Sequence, residues 1–323
     1  MPLCLSESDV RAVLTVPDLI AAMENVLVSF SAGRAMQPVR PVIEMEEMAF
    51  FATMPGYLPD PGVLGAKLVA VIAANERRGL ATHQATIQLL DPDTGLLIAL
   101  MDGRWITEMR TAAVSAVSVR HMAREDASVL AIIGSGVQAR SHVAALTYVR
   151  QFREIRAWSP TAAHLRKFAA ESEVPIRACD SAAETVRGAD VVVLATASVT
   201  PAIENGWVSP GAHVVSVGAC RPTHREIDPA LVARARLVVD SKASAFAESG
   251  DVVLGIRDGL FAREHVLGEL GEVVAGRIPG RTSDAEVTVF KSLGLAVEDL
   301  AAAHLACVRA RELGKGVTID LTA

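Results

Sequence analysis

Cysteine and aromatic side chains are scarce in this chain of 323 residues, and long apolar runs are missing. The four cysteines, Cys4, Cys179, Cys220 and Cys307, lie far apart and form no C-x-x-C pair. This spacing excludes a zinc knuckle and a dithiol redox centre, and it is typical of a reducing compartment. Charged residues interrupt every apolar run before about 20 residues, so we predict no membrane-spanning helix.

An excess of basic residues is also absent. Lysine and arginine total 31 and aspartate and glutamate total 37, which gives a formal net charge of −6. Without a basic block the chain lacks the electrostatic footprint of a nucleic-acid-binding or membrane-surface protein. We see no signal peptide and expect a cytoplasmic location. The eight histidines show no spacing typical of metal ligands, so we predict no metal site.

Short apolar runs alternate with helical segments from about residue 127 onward. The runs at 128–133, 155–158, 191–195 and 213–217 are rich in β-branched residues, as buried strands are. Strands and helices that alternate in this way predict an α/β fold with a doubly wound parallel sheet of the Rossmann type. We assign this dinucleotide-binding domain to residues 123–298.

The first ~120 residues have a different pattern, which predicts an antiparallel α+β domain. Its predicted strands are 39–45, 49–53, 64–72, 86–90 and 96–102. A helical segment at 107–122 leads into the second half. Another, at 296–312, is expected to pack back on the first domain. We therefore assign residues 1–122 and 299–323 to one discontinuous domain.

A glycine-rich turn follows the first strand of the second half. Residues 134–139 read Gly-Ser-Gly-Val-Gln-Ala and fit G-x-G-x-x-A. In this pattern the first glycine makes a tight turn, the second admits a pyrophosphate, and the small last residue lets helix and strand pack closely. The turn therefore predicts dinucleotide binding, whereas a tight turn that binds nothing is the alternative. The predicted contacts are Gly134, Gly136, Val137, Gln138 and Ala139.

The end of the second strand indicates which dinucleotide binds. An NAD site usually presents Asp or Glu to the ribose about 20 residues beyond the glycines. This chain has Trp158-Ser-Pro-Thr161 there, followed by basic residues, so no carboxylate opposes a 2′-phosphate. We favour NADP(H) over NAD(H), with Ser159 and Thr161 as cofactor contacts. The alternative is that these two hydroxyls only cap the next helix.

Three cations of the first half, Arg40, Lys67 and Arg110, lie in or beside apolar segments. Burial of an unpaired cation is costly, so each is expected to have an anionic partner. For any one of them alone, a structural salt bridge is the simpler interpretation. Together, in a protein with a dinucleotide domain, they indicate a clamp for a substrate carboxylate, which arginine can hold through two hydrogen bonds.

Several short motifs, taken in order along the chain, resemble one known family. They are Met54-Pro-Gly-Tyr57, Gly65-Ala-Lys67, Thr82-His-Gln84, Arg110-Thr-Ala-Ala113, the turn at 134–139, Val217-Gly218, Glu226-Ile-Asp228 and the segment 291–299. Over nearly its whole length the chain resembles the ornithine cyclodeaminase/μ-crystallin family. No single motif is specific, but their combination in this order is.

The resemblance implies a role for individual residues and a homodimer in which the first domains pair. Arg40, Lys67 and Arg110 match the residues that grip the substrate carboxylate. Asp228 matches the acid beside the reacting nitrogen and is assigned, with Lys67, to catalysis. A helix N-cap before a proline is the alternative role for Asp228. Other positions that match cofactor contacts are Asn75, Thr111, Thr196, Val217, Gly218 and Gly294.

Members of this family pass a hydride between a nicotinamide and the α-carbon of an amino or imino acid. We therefore predict an NAD(P)H-dependent reductase of cyclic ketimine acids, such as pyrroline-2-carboxylate and piperideine-2-carboxylate, or of other α-imino acids. The alternatives are a cyclodeaminase-type lyase with bound NAD, an alanine-type amino acid dehydrogenase, and a coenzyme-binding protein without turnover.

Two positions depart from the family pattern. Ala52 stands where resemblance to the cyclodeaminases implies a glutamate, and resemblance to the archaeal alanine dehydrogenase an arginine. Alanine can bind neither an amine nor a carboxylate, so Ala52 disfavours both activities. Pro160 stands where NADP-using relatives often have arginine. This second departure weakens the preference for NADP(H) without supplying an acid for NAD(H).

Overall fold

A computed structural model describes residues 1–45 and 49–321. The chain forms two compact units. The first comprises Met1–Arg110 and Leu295–Ala323, and the second comprises Thr111–Gly294. The predicted boundaries are 122/123 and 298/299, so the observed division at residue 110 falls inside a helix rather than after it.

Fifteen strands and eleven α-helices make up the described part of the chain. The strands are β1 (Leu3–Leu5), β2 (Val42–Met45), β3 (Ala49–Leu58), β4 (Val63–Ile72), β5 (His83–Leu90), β6 (Leu97–Asp102), β7 (Val129–Ile133), β8 (Glu154–Trp158), β9 (Arg177–Ala178), β10 (Val191–Leu194), β11 (His213–Ser216), β12 (Arg236–Val239), β13 (Val266–Glu269), β14 (Thr288–Lys291) and β15 (Val317–Thr318). The α-helices are α1 (Glu7–Val13), α2 (Val16–Ser31), α3 (Arg104–Met122), α4 (Val137–Leu146), α5 (Ala162–Ala170), α6 (Ala182–Val186), α7 (Pro229–Arg234), α8 (Lys242–Glu248), α9 (Gly250–Arg257), α10 (Leu270–Val274) and α11 (Ala296–Glu312). Short 3-10 helices lie at Ala73–Arg78, Asn205–Trp207 and Arg263–His265.

The first unit is built on a mixed sheet with strand order β15-β1-β6-β5-β4-β3-β2. Its neighbouring strands run antiparallel except for β1 and β6. Helix α11 packs against α2 and against β3, β4 and β5. The register of these strands sets three rows of side chains on one face: Met54, Lys67 and Ile87; Ala52, Val69 and Ala85; Phe50, Val71 and His83.

The second unit contains a parallel sheet with strand order β13-β12-β14-β11-β10-β7-β8-β9. All its strand pairs are parallel, which confirms the predicted Rossmann-type fold. The chain runs from β7 outward to β9 and then returns to β10 on the other side of β7. In open α/β sheets, ligands bind beyond the carboxyl ends of the strands at such a reversal.

Two buried histidines link neighbouring elements of the second unit. His142 of α4 has Nδ1 2.6 Å from the Gln138 carbonyl and Nε2 2.8 Å from Ser115 Oγ. His213 of β11 has Nδ1 2.8 Å from Thr288 Oγ1. Burial lowers the pKa of His142 to about 4 and that of His213 to about 3, so both are neutral in the folded protein.

We expect these histidines to make the protein sensitive to acid. In the unfolded chain these two histidines bind protons below about pH 6.5, whereas in the folded protein they do so only near their lowered pKa values. The free energy of unfolding therefore falls as the pH drops below about 6.5, by up to ~1.4 kcal/mol per pH unit for each histidine. Urea titrations from pH 7 to pH 5 measure it. His213→Gln should flatten the slope, and the exposed control His164→Gln should not; equal slopes would contradict the assignment.

No single helix of the described residues is long and apolar enough to cross a membrane. The pair α1 and α2, which is bent by 88° at its break, meets the requirements of length and composition only when the two are taken together.

Candidate active site

Two of the predicted cations meet over the sheet of the first unit. Lys67 lies in β4 and is 2% exposed, and Arg110 lies in α3 and is 4% exposed. Lys67 Nζ is 2.5 Å from Asp299 Oδ2. Arg110 Nε donates to Asp299 Oδ1 at 2.9 Å, and its Nη1 donates to Glu298 Oε2 at 2.9 Å. Asp299 therefore bridges the two cations.

The third predicted cation, Arg40, belongs to the same cluster. Its Nη1 lies 4.0 Å from Met54 Sδ, and Met54 is the partner of Lys67 in the register of β3 and β4. The charge of Arg40 is also one of those that lower the pKa of Lys67. The structure thus brings together the three cations predicted from the sequence.

The sequence predicted anionic partners for these cations but did not identify them. For Lys67 and Arg110 they are Glu298 and Asp299, in the first turn of α11. Both acids are fully buried, and each presents its carboxylate to the cations rather than to water. The buried part of the cluster therefore consists of Lys67, Arg110 and their two acids, and Arg40 is half-buried beside them.

Burial and charge together set the protonation of the cluster. Burial lowers the pKa of Lys67 to about 8, although Asp299 opposes this change. Burial also favours protonated Asp299, but Arg110 and Lys67 outweigh it and hold its pKa below the usual value. Burial and the charge of Lys67 lower the pKa of His83 to about 4. Near neutral pH the cluster therefore contains charged Lys67, ionised Asp299 and a neutral histidine.

Beside Lys67 the same sheet face is apolar. The next row consists of Ala52, Val69 and Ala85, which are buried together with Met54. Phe50 and Val71 of the following row pack against them. The hydrocarbon side chains nearest Lys67 on this face are therefore small, and Ala296 of α11 belongs to the same buried cluster.

The glycine-rich turn of the second unit has the geometry that a pyrophosphate needs. Gly134 has φ +121°, and a Cβ there would lie 2.3 Å from the carbonyl oxygen of Ala195, so only glycine fits. Gly136 is the N-cap of α4, and a Cβ there would meet no atom within 4 Å. Open space in front of a helix N-terminus suits a phosphate. Val137 and Gln138 begin the helix, and its third residue, Ala139, is buried.

The hydroxyl groups after β8 lie beside this turn. Ser135 Oγ donates to Ser159 Oγ at 3.0 Å. Thr161 occupies the N-cap position of α5, but its side chain makes no capping hydrogen bond. Capping by Thr161 is therefore not observed, and its role as a cofactor contact stays a prediction.

Asp228 caps α7, as the alternative interpretation proposed. Its Oδ1 accepts from Ala230 N at 2.8 Å, and its Oδ2 accepts from Asn205 N at 2.8 Å. Both carboxylate oxygens are thus engaged by backbone groups, and the role of Asp228 in proton transfer stays a prediction.

The remaining predicted cofactor contacts divide between the two units. Thr196 follows β10, Val217 and Gly218 follow β11, and Gly294 follows β14, all beyond carboxyl ends of strands. These four residues belong to the second unit, and so does Thr111, which is buried in α3. Asn75 lies in the first unit, where Nδ2 donates to the Ala81 carbonyl at 3.1 Å. Within the described residues, no group of three or more His, Cys, Asp or Glu side chains is arranged to hold a metal ion.

The model of the ornithine cyclodeaminase/mu-crystallin family matches residues 2–315 of the chain. The chain belongs to this family. The ketimine reductase mu-crystallin of Rattus norvegicus is 42% identical over 291 residues, which are 89% of this chain and 90% of that protein. The delta(1)-pyrroline-2-carboxylate reductase of one Bacillus cereus strain is 33% identical over 98% of this chain and 99% of that protein.

One solved structure has nearly the same fold. The Thermococcus litoralis delta(1)-pyrroline-2-carboxylate reductase, in complex with NADH and L-proline, is 37% identical and has a TM-score of 0.96. The match covers 98% of this chain and 100% of that one. The family assignment made from the motifs is therefore confirmed.

Sequence reasoning missed the acids that organise both units. Glu298 and Asp299 interrupt the apolar run at 293–300, and this is a signal that buried charges are paired. Glu226 and Asp240 were assigned no role. Asp240 Oδ2 accepts from Gly294 N at 2.7 Å. These carboxylates hold backbone N–H groups, for which a sequence carries no distinct pattern.

Proposed function

We propose that this protein is an NAD(P)H-dependent reductase of α-imino acids, and of cyclic ketimine acids in particular. The observation that carries the proposal is the convergence of the buried Lys67 and Arg110 and the half-buried Arg40 in one charged cluster beside an apolar sheet face. The glycine-rich turn of the second unit supports nicotinamide dinucleotide binding. Relatives named ketimine reductase and delta(1)-pyrroline-2-carboxylate reductase support the same reaction class.

The first unit would bind and orient the substrate. Arg40, Lys67 and Arg110 hold its carboxylate, which fixes the adjacent imine carbon. When bound, the reduced nicotinamide supplies the hydride that this carbon accepts. The nitrogen gains a proton, so that C=N becomes CH–NH.

Two groups are assigned to the proton at the nitrogen. Lys67, whose pKa is lowered to about 8 by burial, is able to donate a proton near neutral pH. Asp228 offers a negative charge that would stabilise a protonated imine.

The charge and lining of the cluster favour one substrate class. Converging cations suit a carboxylate, and Ala52, Val69 and Ala85 suit an uncharged hydrocarbon ring. A cyclodeaminase would need an acceptor for the distal amine, and the buried Ala52 provides none. A second carboxylate on the substrate would likewise face this apolar row, whose side chains offer it no hydrogen bond.

NADP(H) is the proposed coenzyme because no carboxylate stands at Ser159, Pro160 or Thr161 to oppose a 2′-phosphate. NAD(H) is the second candidate, since the T. litoralis relative was solved with NADH and an archaeal alanine dehydrogenase dimer, 30% identical, with NAD. We also propose a homodimer. It is supported by the exposed apolar residues of the edge strand β2, which are Val42, Ile43 and Met45. The mass of the purified protein in solution tests the dimer.

The purified protein should be assayed by nicotinamide absorbance with NADPH and NADH. The panel is pyrroline-2-carboxylate, piperideine-2-carboxylate, iminosuccinate and free amino acids. We expect the cyclic ketimine acids to be reduced fastest, and NADPH to be preferred. Ammonia released from ornithine without a net change in absorbance would establish a cyclodeaminase instead.

Deprotonation of Lys67 should weaken carboxylate binding above pH 8. Its lowered pKa of about 8 means that the cluster loses one positive charge as the pH rises through this value. Cyclopentanecarboxylate has no group that titrates there, so the pH dependence of its inhibition constant reports on the protein alone. We expect the constant to rise about tenfold per pH unit above the pKa. Lys67→Arg should remove this rise, because arginine stays protonated; an unchanged profile would assign the titration to another group.

A further inference from the structure

A glutamate without an assigned role lies fully buried in the second unit. Glu226 is 0% exposed. Its Oε1 accepts from Thr196 N at 2.7 Å, and its Oε2 accepts from Gly218 N at 2.9 Å and from Ser216 Oγ at 2.8 Å. Thr196 follows β10, and Ser216 and Gly218 lie at the end of β11. One carboxylate therefore ties together the carboxyl ends of two neighbouring strands.

A buried ion pair also holds this glutamate in place. Lys291, at the end of β14, has Nζ 3.1 Å from Asp251 Oδ2 and donates to Ser216 Oγ at 3.0 Å. Asp251 Oδ1 accepts from Glu226 N at 2.9 Å and from Ile227 N at 3.0 Å. This second group of buried charges therefore links the ends of β10, β11 and β14. It also fixes the backbone immediately before Asp228, the predicted catalytic residue at the N-cap of α7.

The spacing at Gly218 shows how closely the two strand ends are held. A Cβ at this position would lie 2.0 Å from Thr196 O and 2.4 Å from Glu226 Oε1. Only glycine allows this approach. The positions of Thr196 and Gly218 therefore depend on the same carboxylate.

We propose that Glu226 is a positioning residue for the nicotinamide end of the coenzyme. It acts through the backbone of Thr196 and Gly218, at the edge of the sheet where open α/β folds bind their ligands. It touches neither substrate nor coenzyme. The proposal rests on the proposed function, since it assigns a nicotinamide to this edge.

Asp190 provides a matched control at the opposite, amino end of the strands of the same sheet. It precedes β10, and its Oδ2 accepts from Ser128 N and from Val129 N, each at 2.9 Å. Asp190→Asn and Glu226→Gln each replace a carboxylate that holds two backbone N–H groups. In Glu226→Gln the amide NH₂ must face Thr196 N or Gly218 N. In Asp190→Asn the amide oxygen can keep both backbone donors, but the NH₂ then faces Arg124 Nη2, which donates to Oδ1 in the wild type. Both variants should therefore lose stability. Only Glu226 lies at the edge assigned to the coenzyme.

The experiment compares Glu226→Gln and Asp190→Asn with the wild-type protein. Fluorescence titration gives the Kd of NADPH and of NADH, and assays with coenzyme deuterated at the transferred position give the isotope effect on kcat. We expect Glu226→Gln to raise the coenzyme Kd about 10-fold, to lower kcat on the order of 10²-fold and to increase the isotope effect, because small misplacements slow hydride transfer. Asp190→Asn should melt at a lower temperature but leave these three values unchanged.

Two results with the variants overturn the proposal: wild-type Kd, kcat and isotope effect in Glu226→Gln, or equal changes in both variants. If Glu226→Gln does not fold, Ser216→Ala is judged on the same readouts, since it removes one hydrogen bond to the carboxylate and no charge. A wild-type protein that binds coenzyme but reduces no imino acid contradicts the proposed function alone, because the Kd comparison still decides on Glu226. A wild-type protein that binds neither coenzyme overturns both.

Discussion

Replacing Lys67 with alanine should abolish imino acid reduction and leave the coenzyme Kd unchanged. The variant removes a cation of the substrate cluster and leaves Asp299 without its contact at 2.5 Å. The proposed pair of Lys67 with the substrate carboxylate is lost as well. Truncating one partner of such a buried pair costs about 2–5 kcal/mol, so we expect kcat/KM to fall on the order of 10³-fold. Steady-state assays and coenzyme titration measure the two effects.

Two further variants control this experiment. Lys67→Met keeps most of the side-chain volume and should be as inactive as Lys67→Ala, because the charge is what matters. Lys315→Ala removes an exposed lysine of the same unit and should behave like the wild type. An active Lys67→Ala protein would remove the cluster from the proposed mechanism.

Replacing Asp299 with asparagine should cause the largest loss of stability. Asp299 is fully buried and pairs with both Lys67 and Arg110, so the variant leaves two buried cations with less compensation. Breaking a buried pair from one side typically costs about 3–5 kcal/mol. Urea unfolding at neutral pH should show a free energy of unfolding lower by this amount.

The same variant should also lower the pKa of Lys67 further, because the opposing charge is lost. The pH above which cyclopentanecarboxylate binding weakens should then move below 8. Asp93→Asn, an exposed aspartate of the first unit, is the matched control and should change neither stability nor the pH limit. A stable Asp299→Asn protein with an unchanged pH limit would mean that the bridge contributes little.

Local patterns in the sequence predicted much of the second unit. The strand, glycine turn and helix at 128–149 are observed as β7 and α4, since the turn residues and the apolar run lie next to each other. Strand β14 was missed because it has four residues, Thr288–Lys291, and no turn motif beside it. Helix α2 was also missed, although Thr15 accepts a hydrogen bond from Asp18 N in an N-cap that the sequence displays.

The site was predicted only as far as its cations. Arg40, Lys67 and Arg110 stand out because each lies beside apolar residues. Asp299, the partner of Lys67 and Arg110, is 189 residues from Arg110, and such a separation cannot be inferred from spacing. Of the two backbone hydrogen bonds that Asp228 accepts, one likewise comes from Asn205, which lies in another segment of the chain.

The position of β14 has a consequence for synthesis on the ribosome. This strand lies between β11 and β12, yet it is the last of its sheet to be made. Until residue 291 has emerged, the nascent sheet consists of two separate halves whose inner edges are apolar and unpaired. Such edges favour aggregation. A ribosome that stalls after β12 has emerged from the exit tunnel, but before β14 has, should therefore leave β11 and β12 open to chaperone binding.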